Sequence, residues 1–161
     1  MRKMSIYTIL FALAVALCSL SMGCAALRQA SYKEDYIHQQ MQNYAYHTSM
    51  DNLWSAARTL LFKHGYYVRE GRHGYQMETD WAIGDRSTVL RRYLVTGYQN
   101  ADGSNSIHFD YYEEIQNPGN PPYTRSDRDY ELEYELLRMI DSQSWAQVEN
   151  AAESYASQKA N

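Results

Sequence analysis

The segment from Ser49 to Trp81 constrains the fold most, because it predicts a helix followed directly by two strands. Apolar residues recur in its first half at three- and four-residue steps, which places them on one helix face: Met50, Leu53, Trp54, Ala57, Leu60 and Leu61. Ser49 is the predicted N-cap, and Gly65 follows the last turn. A helix with such a stripe needs a sheet to cover it. Residues 66–68 and 75–81 have the aromatic and β-branched bias of strands and supply the start of that sheet.

A long alternating region further along the chain predicts the rest of the sheet. Residues 86–98 predict a strand, the Asp102-Gly103 pair predicts a hairpin turn, and residues 107–112 alternate apolar with polar side chains in the returning strand. Such alternation is typical of an antiparallel sheet that is covered on one side only. An earlier strand is expected over residues 44–47, just before the helix.

The residues after the proline-rich break at 117–122 allow two interpretations. Residues 130–136 alternate strictly, as an edge strand would. We predict a helix instead, because Ser126 or Asp127 can cap it, Glu and Leu are strong helix formers, and the apolar run continues to Ile140 without alternation. A second helix is expected to start near Trp145.

These elements predict an α+β fold in which helices pack on one face of an antiparallel sheet. The arrangement is helix-grip-like, and its predicted order is β-α-β-β-β-β-α. Four parts are expected along the chain: a lipoprotein signal peptide over residues 1–23, a flexible tether over 24–43, the α+β domain over 44–141 and a C-terminal helical tail over 142–161. Within the tether, Ser31 and Glu34 have the spacing of a capping box, which allows a short helix from there through Met41.

The first residues have the layout of an export signal. Arg2 and Lys3 precede an apolar run, and the Gly23-Cys24 pair after that run resembles the lipobox of bacterial lipoproteins, in which the cysteine becomes the acylated first residue. The resemblance implies lipidation at Cys24. Two other outcomes fit the same residues: an uncleaved membrane anchor over residues 6–27, or cleavage near Ala25 that releases a soluble protein. The domain is exported in each case.

Cysteine content and net charge limit the disulfide bonds and the binding partners that this chain can have. Cys18 lies in the apolar run, so cleavage leaves Cys24 as the only cysteine and no disulfide can form within one chain. Loss of Arg2 and Lys3 from 15 basic residues, against 19 acidic ones, leaves a net charge of about −6. Nucleic acid is therefore not an expected partner. The 16 tyrosines indicate either a half-buried sheet surface or a wet aromatic contact surface.

The sequence contains no residue pattern that indicates catalysis. His108 and Asp110 share a strand face, but no third ligand lies at a metal-binding spacing, and an exposed polar strand explains both. A nucleophile elbow and a phosphate loop are missing. Arg86, Arg91 and Arg92 are expected to pair with acidic side chains on the sheet. We therefore predict no enzyme, no cofactor and no metal.

Three short motifs resemble the BamC family, lipoproteins of the machinery that assembles outer-membrane β-barrels. The motifs are Leu53-Trp54, Thr79-Asp80-Trp81 and Arg91-Arg92-Tyr93, and the likeness covers roughly residues 44–140. The resemblance implies a helix-grip fold and a place in the outer membrane, facing the periplasm. That family carries two such domains and a long partner-binding amino-terminal segment, whereas this chain has room for one domain and a short tether.

Together these features predict a lipid-anchored, non-enzymatic module of outer-membrane assembly or maintenance. It would attach to the membrane through acylated Cys24 and dock an envelope protein through Tyr98, Tyr112 and Arg91. The alternative is a periplasmic carrier that binds an apolar ligand between helix and sheet. Bulky residues favour a filled interior instead: Trp54, Leu61, Phe62, Trp81 and Phe109.

Overall fold

The computed structural model describes residues 25–70, 74–84, 88–116 and 119–160. The helices in this part of the chain are α1 over residues 25–41, α2 Met50–Lys63, α3 Tyr130–Ile140 and α4 Ser142–Ala160. The strands are β1 Val68–Glu70, β2 Gln76–Thr79, β3 Ala82–Ile83, β4 Val89–Gln99, β5 Asn105–Ile115 and β6 Tyr123–Arg128. The predicted signal peptide and Cys24 lie outside the described residues.

All six strands join one antiparallel sheet in the spatial order β1, β2, β4, β5, β6, with β3 paired to β4. The β4–β5 hairpin is its centre, because each strand has 11 residues and the pairing runs from Val89 opposite Ile115 to Gln99 opposite Asn105. Gly103 in the connecting turn has a φ of +84°, which glycine adopts without strain. The predicted α+β fold with an antiparallel sheet is confirmed.

Helices α2 and α3 pack against one face of the sheet, which we call the covered face. The core between them consists of buried residues from both layers: Leu53, Ala57, Leu60, Leu61, Val95, Ile107, Phe109, Leu136 and Leu137. The predicted N-cap is confirmed, because Ser49 Oγ accepts a hydrogen bond from the Asn52 N–H at 3.3 Å. Trp54 differs from the rest of the α2 stripe: it is half-buried and meets the Tyr75 ring edge-on, with centroids 5.7 Å apart.

The flexible tether expected over residues 24–43 is wrong, because residues 25–41 form helix α1, which contains the short helix allowed from Ser31 through Met41 and begins earlier. This segment is rich in alanine and glutamine, which favour helix, and Met41 at its end is buried in the core. The strand expected over residues 44–47 is reduced to one bridge between Tyr46 and Asn105. Pairing stops there because the chain enters the cap of α2 at Ser49.

Strand β6 was not predicted, and it displaces the expected start of α3. Ser126 and Asp127, the predicted caps, lie inside β6. Asp129 caps the helix instead, because its Oδ1 accepts the Leu132 N–H at 3.0 Å. The choice of helix over edge strand for residues 130–140 is confirmed. Over the described ranges the order is therefore two helices, six strands and two helices.

One extra residue separates β2 from β3 and reverses the alternation of side chains. Glu78 lies opposite Leu94 and Ala82 lies opposite Arg91. Between these two pairs, residues 79–81 lie opposite only residues 92–93 of β4. This two-register arrangement is a β-bulge. Because side chains alternate along a strand, the extra residue turns Trp81 away from the face that Met77 occupies. The prediction that Trp81 fills the interior is wrong for this reason.

The chain divides into two compact units. His38–Val148 is the unit that holds the sheet. The described part of the other unit pairs residues 25–37 with residues 149–160 in antiparallel directions. Lys33 contacts Glu149, and Gln29 Nε2 donates to Ser157 Oγ at 3.2 Å. Within the described ranges, no helix is long and apolar enough to span a membrane.

Candidate functional site

The face of the sheet opposite the helices carries side chains that a partner can reach. The even-numbered residues of β4 and β5 point to this side, and none of them is buried. The odd-numbered residues between them include the sheet's contribution to the core. We call this side the outer face. It is a half-buried antiparallel surface of the kind that the alternating sequence predicted.

An arginine between two aromatic rings forms the centre of the outer face. The Arg92 guanidinium carbon lies 5.0 Å from the ring centroid of Trp81 and 5.3 Å from that of Tyr112. The β4–β5 pairing places Tyr112 directly opposite Arg92, and the bulge brings Trp81 to the other side. We call these three residues the aromatic patch. The stack orders the long arginine side chain before any partner binds, which reduces the entropy that binding would cost.

The aromatic patch keeps polar groups that a partner can use. Trp81 is 43% exposed, and Arg92 Nη1 lies 3.8 Å from Glu78 Oε2 across the adjacent strand. Arg92 Nε is buried and has no hydrogen-bond partner among the described residues. Because this nitrogen is shielded from solvent, a partner would meet the exposed part of the Arg92 side chain, which is 39% exposed, rather than Nε.

Two further side chains extend the outer face beyond the aromatic patch. Tyr98 is 46% exposed, and its ring centroid lies 4.9 Å from that of His108. Burial lowers the pKa of His108, and Arg128 lowers it further, so this imidazole is neutral at pH 7 and stacks as an aromatic ring. Ile83 is 71% exposed and lies opposite Leu90. The outer face is therefore aromatic and aliphatic at several separated points.

Of the three residues predicted to meet a partner, Tyr98 and Tyr112 lie on the outer face and Arg91 does not. Arg91 belongs to the covered face, its side chain is 19% exposed, and its Nη2 donates to Glu113 Oε1 at 2.6 Å. Its neighbour Arg92 occupies the aromatic patch instead. Strict alternation from Tyr98 would have identified Arg92, because the two residues are separated by an even number of positions.

The covered face ends in a buried ion-pair cluster. The carboxylate of Glu113 is almost fully buried and accepts hydrogen bonds from Arg91 and from Arg125 Nε. Burial raises the pKa of Glu113, but the hydrogen bonds from Arg125 and Arg91 outweigh it and lower the pKa overall. Arg91 thus pairs with an acidic side chain, as the sequence predicted. The cluster is an internal structural contact rather than an anion site, because both carboxylate oxygens bind cations of the same chain.

A second buried carboxylate closes the sheet where β6 ends. Glu133 of α3 accepts the Phe109 N–H at 3.1 Å and two hydrogen bonds from Arg128 at 2.7 Å. Arg128 also donates to the carbonyl of Met41 at 3.2 Å. Burial raises the pKa of Glu133 to about 7, against the hydrogen bonds from Arg128. These contacts tie α1, β5, β6 and α3 together, so their role is structural.

Two cavities flank the start of α3, and both are polar. One has a volume of about 300 Å³, and the other has a volume of about 350 Å³. Arg91, Asp129 and Glu131 line both of them. In the second cavity, Tyr93 Oη donates to Asp129 Oδ2 at 2.7 Å. Within the described ranges, no group of three or more His, Cys, Asp or Glu residues could hold a metal ion. His108 and Asp110 share the outer face without a third ligand.

Comparison with known proteins adds no relative: no family model, no curated protein and no solved structure matches this chain. The resemblance to the BamC family therefore stays a prediction. The same holds for lipidation, since Cys24 lies outside the described residues.

Proposed function

We propose that the chain is a lipid-anchored envelope lipoprotein whose α+β domain docks a protein partner through its outer face, without catalysis. The observation that carries this proposal is the aromatic patch, in which Arg92 is held between Trp81 and Tyr112. Trp, Tyr and Arg are the residues in which interface energy concentrates. Here they are already ordered, partly exposed and adjacent.

The membrane attachment and the cellular process in this proposal come from the sequence. Arg2, Lys3 and the apolar run supply an export signal, and Gly23-Cys24 supplies the acylation site. More than one acyl chain gives stable anchoring, whereas a single chain is marginal. The resemblance to the BamC family points to outer-membrane assembly or maintenance, at the periplasmic side of the outer membrane.

The packing between helices and sheet argues against the alternative of an apolar carrier. Leu61 and Phe109 are fully buried, and a Cβ added to Gly97 would lie only 2.8 Å from Met50 Sδ. Such spacing leaves no room for a ligand at that point. Phe62, which was expected inside, is 65% exposed because it falls one step beyond the α2 stripe. The interior is filled without it.

Affinity capture from envelope membranes tests the docking proposal. The full chain serves as bait, and Trp81→Ala and Arg92→Ala remove the aromatic patch. Loss of one hot-spot side chain should weaken partner binding by roughly 30-fold or more. Phe62→Ala is the matched control, because Phe62 is 65% exposed and lies on α2, a helix that packs on the covered face.

Two results would contradict docking through the patch. One is equal capture by the patch variants and by Phe62→Ala. The other is a stoichiometric apolar ligand in native mass spectra of the purified protein, which would favour the carrier.

Intact-mass measurement of the exported protein tests the anchor separately. We expect a mature chain that begins at Cys24 and carries the added mass of acyl chains. The Cys24→Ser variant should lose that mass, and where its apolar leader is still removed by another cleavage it should leave the detergent phase. A mature chain that starts at any other residue would exclude the lipoprotein assignment and leave the docking proposal standing.

A further inference from the structure

The last strand of the sheet has an open edge. β6 ends the strand order, and no strand in the described part of the chain pairs with its second edge. The residues from Tyr123 to Asp127 are all exposed. An unpaired strand edge offers a row of backbone donors and acceptors to another chain.

The pairing of β6 with β5 decides which backbone groups point to that open edge. The Asp129 N–H donates to the Phe109 carbonyl at 2.7 Å, just past the end of β6. Hydrogen-bonded and non-hydrogen-bonded pairs alternate along an antiparallel ladder. The backbone groups of Thr124, Ser126 and Arg128 therefore point outward. In agreement with this, the Arg128 N–H donates to its neighbour Asp127 Oδ1 at 2.8 Å and not to β5.

We infer that β6 pairs antiparallel with β6 of a second copy of this chain, about a two-fold axis at Ser126. The outward N–H and C=O of Ser126 would then bond to the same groups of Ser126 in the second copy. A two-fold contact of this kind is isologous and closes at a dimer. The contact uses the edge of the sheet rather than its outer face, so it is independent of the docking proposal.

Charge complementarity selects this register. With Ser126 on the axis, Arg125 lies opposite Asp127 of the second copy, and the symmetry repeats the pair. Shifting the axis by one residue in either direction would place Arg125 opposite another Arg125, or Asp127 opposite another Asp127. Opposite charges across a strand pair stabilise it and like charges destabilise it.

The two charged side chains are positioned to make this contact. Arg125 Nε donates to Glu113, and the Arg125 side chain is 59% exposed. In the described part of the chain its two Nη groups have no partner, so they are free to reach Asp127 of the second copy. In the dimer, the Asp127 carboxylate would bind Arg125 of the second copy instead of accepting the Arg128 N–H of its own chain.

The sequence on either side of β6 limits the contact to the strand itself. Pro121 and Pro122 precede β6 and lack the N–H that further pairing would need. A contact of six residues per chain buries less than the ~1,200 Å² typical of stable complexes. The dimer is therefore weak in solution, and it is favoured where a membrane anchor concentrates the chains.

Cysteine cross-linking tests the register directly. The full chain is used with Cys18 and Cys24 replaced by serine, so that one added cysteine is the only thiol. Ser126→Cys should form a disulfide-linked dimer on oxidation, because position 126 faces itself. Thr124→Cys is the matched control, because position 124 faces position 128 of the second copy. The two added cysteines would then lie four residues apart, roughly 13 Å along the strand and beyond disulfide reach. We expect the yield of this variant to be roughly ten-fold lower. Equal yields, or no dimer from Ser126→Cys at the highest soluble concentration, would overturn the inference.

Sedimentation equilibrium provides a second measurement. The average mass of the chain should rise with concentration toward twice the monomer. Asp127→Lys places like charges opposite each other twice and should raise the dissociation constant roughly ten-fold. Ser126→Pro should abolish the rise, since proline is tolerated where the N–H points away from the sheet but removes the central donor. A dimer that is unaffected by Asp127→Lys would contradict the proposed register.

Discussion

The covered face and the outer face are built from alternate residues of the same two strands, yet they differ in what their side chains do. On the covered face, Phe109 and Val95 are fully buried under two helices. On the outer face, Arg92 and Tyr112 form a stack that remains within reach of solvent. The comparison shows that period-2 alternation lets one hairpin stabilise the domain with one set of residues and leave the other set within reach of solvent.

The two faces also differ in how their charged side chains are paired and buried. The carboxylates of Glu113 and Glu133 are each 1% exposed on the covered side, and each is bound by an arginine of the same chain. On the outer face, Arg92 lies 3.8 Å from Glu78, and both side chains are substantially exposed. Buried pairs are costly to break, whereas exposed pairs contribute little. Ion pairs thus hold the covered face together and leave the outer face adaptable.

The largest expected effect comes from Phe109 on the covered face of β5, and its neighbour His108 on the outer face provides the comparison. Phe109→Ala should lower the free energy of unfolding by ~3–5 kcal/mol, because it opens a cavity in the core. His108→Ala should change it by less than ~0.5 kcal/mol. Urea unfolding followed by tryptophan fluorescence measures both. Similar losses for the two variants would show that the outer face is covered as well.

The next effect is a pH dependence from Glu133. Its folded pKa of about 7 lies above the ordinary value of 4.5. The folded protein therefore holds this proton more tightly than the unfolded chain does. The resulting stabilisation is complete below pH 4.5 and is lost as the pH rises through 7, by up to ~3 kcal/mol.

Glu133→Gln isolates this contribution from other titrating groups. The variant cannot ionise at position 133, so its free energy of unfolding should not show that fall between pH 4.5 and 7. Urea titrations of both proteins at a series of pH values give the difference. If the two curves stay parallel, the carboxylate of Glu133 titrates at an ordinary pKa.

A smaller effect is expected at Gly97, where Met50 of α2 packs closely on β4. An alanine Cβ would lie 2.8 Å from Met50 Sδ and 3.0 Å from Tyr75 Cβ. Gly97→Ala should therefore destabilise the domain by ~1–3 kcal/mol. Met50→Ala should cost less in the Gly97→Ala background than in the natural sequence, and a double-mutant cycle measures this coupling. Additive effects would mean that Tyr75, not Met50, is the obstacle.

The smallest effect on stability is expected for the outer face itself. Trp81→Ala and Tyr98→Ala should each lower the free energy of unfolding by less than ~1 kcal/mol, because both side chains are largely exposed. Thermal unfolding measures this. A loss as large as that of Phe109→Ala would show that Trp81 stabilises the fold rather than a contact.

Much of the fold could be predicted because its signals are local. The α2 stripe and its Ser49 cap follow from spacing, and the Asp102-Gly103 turn fixes the β4–β5 hairpin. Strand β6 could not be predicted in this way, since Tyr123–Arg128 has no apolar alternation and forms a strand through its pairing with β5. For helix α1, the capping box allows only the part from Ser31 to Met41, because a polar segment gives no periodic apolar pattern that predicts the earlier start or the burial of Met41.

The candidate site could be predicted only in part. Tyr98 and Tyr112 were identified from the composition of the strands, and alternation placed them correctly. The sequence prediction names Arg91 instead of Arg92. The two residues are adjacent, so their side chains lie on opposite faces of the sheet. Trp81 could not be placed from its own strand, because the register shift exists only relative to β4.

That register shift has an evolutionary consequence. The chain between Met77 and Ala82 is one residue longer than its pairing with β4 requires. Deleting Asp80 would restore a single register, in which Trp81 follows Thr79 directly and still lies opposite Arg92 on the outer face. The extra residue is the reason that odd-numbered positions of one segment lie on both faces, with Met77 and Thr79 in the core and Trp81 and Ile83 outside. Related chains that lack a residue here would keep both the fold and the stack of Trp81 on Arg92.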